Sequence, residues 1–69
     1  MSEALMIHLN GEEYSTKARS LTELVRELAL EERMIAMERN LEVVPKSQYA
    51  STLLKNSDRI ELVHMIGGG

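Results

Sequence analysis

Leu5, Ile7 and Leu9 alternate with Met6 and His8, a period of two that predicts a strand with one face inward. Asn10-Gly11 follows, the dipeptide best suited to a tight hairpin turn whose two central residues need positive φ. Residues 12–17 (EEYSTK) then return as a polar, edge-like second strand. The period changes at Ser20. Ser20 and Glu23 form a capping box, and Leu21, Leu24, Val25 and Leu28 follow at helical spacing with Glu23, Arg26 and Glu27 on the other face. This predicts a helix from about 21 to 30. Met34 to Glu38 (MIAME) reads as a short, largely apolar strand inside a sheet. Arg39-Asn40 makes a turn, with Asn40 tolerating a left-handed backbone, and residues 41–44 (LEVV) form a fourth strand. Pro45 suits the first turn of a short helix over KSQYAS, which Tyr49 anchors to the core. After a turn at Asn56-Ser57-Asp58, residues 59–66 (RIELVHMI) alternate again as a last strand.

The first and last strands are the most apolar and best patterned, which places them side by side. One helix then crosses one face of a mixed sheet of about five strands. This order defines an α+β fold of the β-grasp, or ubiquitin-like, type. Residues 1–66 form the expected domain, and Gly67, Gly68 and Gly69 a flexible tail. Glycines at this place have no turn to make. Without side chains they make a thin thread that a narrow active site can admit, leaving backbone contacts and the Gly69 carboxylate for recognition.

Composition narrows the chemistry. The 69 residues include no cysteine, which removes disulfides, thiolate nucleophiles and cysteine metal ligands and suits a reducing cytoplasm. The net charge is −3 with basic residues scattered, and Tyr14 and Tyr49 are the two aromatic side chains, a poor match to nucleic-acid binding. The first ten residues lack the basic and apolar regions of a signal peptide, and no apolar run reaches membrane-spanning length. So small a chain has little room to enclose a substrate, which favours a carrier or binding module that is a monomer when free.

His8 and His64, without cysteines or patterned carboxylates beside them, make a poor metal pair. No metal site or cofactor is expected. The neighbours Glu12-Glu13 and Glu31-Glu32 point apart and form no acid/base dyad. The methionines are expected to fill core gaps. In the last strand Ile60 and Leu62 are assigned inward. Val63 and Met65 then make an exposed apolar patch, continued by Ile66, beside the tail. Such a patch suits docking of a partner enzyme.

Three blocks resemble the ThiS family of ubiquitin-like sulfur carriers. They are LNGEEY after the first strand, IAMERNLEVVPKSQY with Val44, Pro45, Lys46 and Tyr49, and DRIELVHMIGGG from Asp58 onward. One departure is Asn40-Leu41, where many relatives have Asn-Gly. The resemblance implies adenylation of the Gly69 carboxylate by a ThiF-type adenylyltransferase. Sulfur from a cysteine-derived persulfide then replaces AMP, and the thiocarboxylate donates sulfur to thiazole synthase (ThiG) for thiamin biosynthesis. The chain would act as a co-substrate, not as an enzyme. The alternatives are a MoaD-like carrier for molybdopterin synthesis, whose relatives usually reach the glycines through proline, and a ubiquitin-like modifier of lysines.

Overall fold

Five strands form one sheet in which the second, first, fifth, third and fourth in chain order lie side by side. It is seen in a computed structural model that describes residues 3–65. β1 (Leu5–Leu9) and β2 (Glu12–Thr16) form an antiparallel hairpin about Asn10-Gly11, where φ is 51° and 85°. β3 (Ile35–Arg39) and β4 (Glu42–Val44) form a second hairpin, and β5 (Arg59–His64) lies between the two, parallel to β1 and antiparallel to β3. The expected neighbours, first and last strand, are therefore paired, and the two more polar strands take the edges. The one α-helix among the described residues, α1 (Leu21–Glu27), covers one face. Ile7, Leu21, Leu24, Ile35, Met37 and Ile60 are fully buried between helix and sheet.

The start of α1 is closed completely. Ser20 Oγ accepts the Glu23 N–H at 3.2 Å, while the Leu21 and Thr22 N–H groups donate to the carbonyls of Thr52 and Tyr49. The donors that a helix leaves over at its N-terminus are thus met by one side chain and by the loop anchored through Tyr49. Glu23 reaches back to the Arg19 N–H at 2.8 Å, one residue before the position a capping box usually serves.

The second hairpin turn lies at Asn40-Leu41, one residue later than expected, so β4 begins at Glu42, and three further expectations need correction. The helix ends three residues early, at Glu27. Ala29 adopts φ 59°, Leu30 N–H donates to Val25 O, and Ala29 N–H donates to Arg26 O. These bonds form a Schellman closure with alanine where glycine is usual, so no composition signal marked it. Lys46–Gln48 is a 3-10 turn, shorter than the helix expected, with Pro45 as its N-cap; Tyr49 is nonetheless buried. Among the methionines only Met37 is in the described core. Met6, Met34 and Met65 are exposed because each has a surface-facing place on the sheet or at its end.

Candidate functional site at the end of the last strand

β5 decides what the end of the chain can do. Ile60 is fully buried and Leu62 half-buried, whereas Val63 is 61% and Met65 43% exposed. The inward and outward assignments made from alternation hold. Val63 pairs with the half-buried Ala36, and Met65 N–H donates to Met34 O at 2.8 Å. Met34, Ala36, Val63 and Met65 therefore bring apolar groups together at the sheet end from which residue 66 follows. Met34 and Ala36 were missed in the sequence because their exposure depends on pairing with β5. Ile66, Gly67, Gly68 and Gly69 lie outside the described residues.

Further along the open face, Glu38 and Glu61 are direct cross-strand partners, with Val43 beyond Glu38. Like charges set opposite each other oppose sheet stability. His8 shares the face of Arg59, its pairing partner, whereas His64 has the parity of Ile60 and Leu62, so the two histidines belong to opposite faces. Among the described residues, no group of three His, Asp or Glu is placed to hold a metal ion. Three open clefts of about 520, 330 and 390 Å³ are lined by residues other than Met34, Ala36, Val63 and Met65.

β5 is fastened by two asparagines, one from each hairpin turn. Asn10 bonds the Leu62 backbone through both side-chain atoms. Asn40 Oδ1 accepts the Arg59 N–H at 2.9 Å, and its Nδ2 donates to Asp58 Oδ1 at 3.1 Å. Asp58 is buried and also accepts the Lys55 N–H at 2.9 Å, with Arg39 Nε at 3.9 Å. Both asparagines were read as turn formers. Their second role spans 52 and 19 residues of sequence and leaves no local signal.

A five-stranded mixed sheet gripping one helix, with an exposed apolar end on its central strand, defines a ubiquitin-like β-grasp domain. The sequence profile of the ThiS family matches residues 6–69, and the chain belongs to that family. It is 35% identical to the sulfur carrier protein ThiS of Bacillus subtilis, over 93% of this chain and 100% of that protein. A thiazole synthase of Paramagnetospirillum magneticum is 47% identical over 62 residues, which cover 88% of this chain and 19% of the synthase. The chain thus spans about a fifth of the length of that relative and of the thiazole synthase of Magnetococcus marinus. The crystal structure of a thiamine biosynthesis protein (ThiS) from Geobacter metallireducens superimposes with a TM-score of 0.81 at 25% identity, covering 94% of this chain and all of that one.

Proposed function

We propose that residues 67–69 are a tail on a β-grasp domain of residues 1–66, and that the Gly69 α-carboxylate is the group on which sulfur is carried. A carboxylate is a poor electrophile. A ThiF-type adenylyltransferase would join it to AMP with loss of pyrophosphate. The terminal sulfur of a cysteine persulfide then attacks the acyl carbon and AMP leaves. A thiol breaks the resulting S–S bond, releasing the C-terminal thiocarboxylate and keeping the disulfide. Glycine leaves the carbonyl carbon unshielded and lets the thread enter a narrow site. The chain is consumed and regenerated as a co-substrate, in the cytoplasm, while its partners supply the catalytic groups.

The observation that carries this reading is the exposed pair Val63 and Met65 at the end of β5, which leads directly into the tail. The patch, with Ile66, is the docking surface. Thiazole synthase is the proposed acceptor. Two relatives of that name contain a segment similar to this chain within a much longer chain, and such joining keeps carrier and acceptor at high effective concentration.

Intact mass after incubation with a ThiF-type adenylyltransferase, ATP and a persulfide donor tests the proposal. The expected gain is one oxygen replaced by sulfur, lost when Gly69 is deleted or a residue is added after it. No gain, while a known carrier reacts in parallel, would overturn it. A ladder of lysine conjugates would identify a protein modifier instead.

A further inference from the structure

β1 and β5 overlap for only two pairs, His8 with Arg59 and Leu9 with Ile60. On that flank the His8 N–H donates to Asp58 O and the Asn10 N–H to Ile60 O, both at 2.9 Å. The next rung belongs to Leu62, but the chain has already turned back at Gly11. The Asn10 carboxamide takes that rung. Its Nδ2 donates to Leu62 O at 3.2 Å, and its Oδ1 accepts the Leu62 N–H at 2.7 Å. One side chain meets both Leu62 backbone groups that a continuing parallel strand would have bonded. The opposite flank has no such gap, since β3 pairs along β5 to His64 and Met65 N–H still meets Met34 O. Leu62 is therefore the last described residue of β5 held from both sides.

Asparagine suits this turn, but the turn does not require its amide to reach Leu62. Asn10 has φ 51°, which glycine adopts without any side chain. We infer that Asn10 is a positioning residue: its carboxamide sets the line along which the chain leaves the sheet for residues 66–69. The inference rests on the sulfur-carrier reading, in which those residues must reach another enzyme's active site. Freed at Leu62, the strand end pivots about β3 alone, and fewer docked complexes hold the carboxylate in line for attack. Val63 and Met65 keep their β3 partners, Ala36 and Met34, so the docking patch stays assembled while its aim relative to the rest of the sheet loosens.

The two steps separate kinetically. Asn10→Gly keeps the turn conformation and removes both bonds; Asn10→Asp keeps the acceptor for Leu62 N–H and loses the donor. Thiocarboxylate formation by a ThiF-type adenylyltransferase would be followed by mass, at a temperature where circular dichroism shows each variant folded. For Asn10→Gly the expected result is a kcat lowered about three- to tenfold with KM unchanged. Asn10→Asp should recover part of the loss, and Leu62 amide exchange should quicken in step. Equal kcat for Asn10→Gly and the unsubstituted protein would overturn the role of Asn10 alone. So would a loss confined to KM. Failure of the unsubstituted protein to acquire sulfur would overturn the carrier reading and this inference with it.

Discussion

Ala29 and Leu41 carry conformations that their side chains oppose. Ala29 closes the helix at φ 59° and Leu41 sits in the β3–β4 turn at φ 71°, and both are exposed. A left-handed backbone costs a residue with Cβ about 1–2 kcal/mol, and glycine returns part of that as entropy lost on folding. Ala29→Gly and Leu41→Gly should each stabilise the protein by about 0.5–1 kcal/mol. The urea midpoint should rise at unchanged slope, and no rise in either variant would mean that the strain is relieved elsewhere. Asp58 is the opposite case. It is buried, and its carboxylate joins the Lys55 turn to the Asn40 turn. Asp58→Ala leaves both donors without their partner and should cost about 1–3 kcal/mol, read from the same urea curves. The sequence showed Asp58 as the start of a family block, but its bonds connect turns that only the fold brings together.

At the level of elements, most of the architecture was legible. Alternation located β1 and β5, Asn10-Gly11 located a hairpin, and Ser20 with Glu23 located the start of the helix, because each signal is local. The end of the helix was not legible, since alanine at Ala29 carries no stop signal. The attachment of helix to edge strand was hidden as well. Tyr14 OH donates to Glu27 Oε2 at 2.6 Å, and Thr16 Oγ1 donates to the same carboxylate. The hydrogen bond to Glu27 and its negative charge hold the Tyr14 phenol above its ordinary pKa of 10.0. Tyr49 is raised too, chiefly by desolvation, with a backbone hydrogen bond at Met37 opposing. The folded state therefore retains phenolic protons that the unfolded chain releases near pH 10. Stability from both groups is complete below that pH and falls as pH rises through the folded values. Ionisation followed in the ultraviolet should lag behind free tyrosine in the unsubstituted protein. Tyr14→Phe should flatten the alkaline loss of stability. An unchanged slope would show that the clamp does not persist in solution.

On the scale of the whole molecule, the sheet has two faces with different work. The covered face holds the core, and its residues can be tested by stability: Ile60→Ala should cost about 2–5 kcal/mol through the cavity it leaves. The open face carries Val63 and Met65 at the chain's exit and the opposed Glu38 and Glu61 beside them, an arrangement that stability alone would not select. If this face docks the adenylating partner, substitutions there should affect transfer and spare the fold. Val63→Lys adds a charge to a side chain that is mostly solvated, so unfolding free energy should stay within about 0.5 kcal/mol. Placed in the centre of a desolvated interface, the same charge should raise KM for thiocarboxylate formation about tenfold or more. Asn10→Gly should change kcat, so the two variants assign docking to a residue of β5 and delivery to the turn residue that fastens it. Normal KM for Val63→Lys, with sulfur acquired at the usual rate, would move the docking surface away from the end of β5 and leave its exposed apolar groups without a partner.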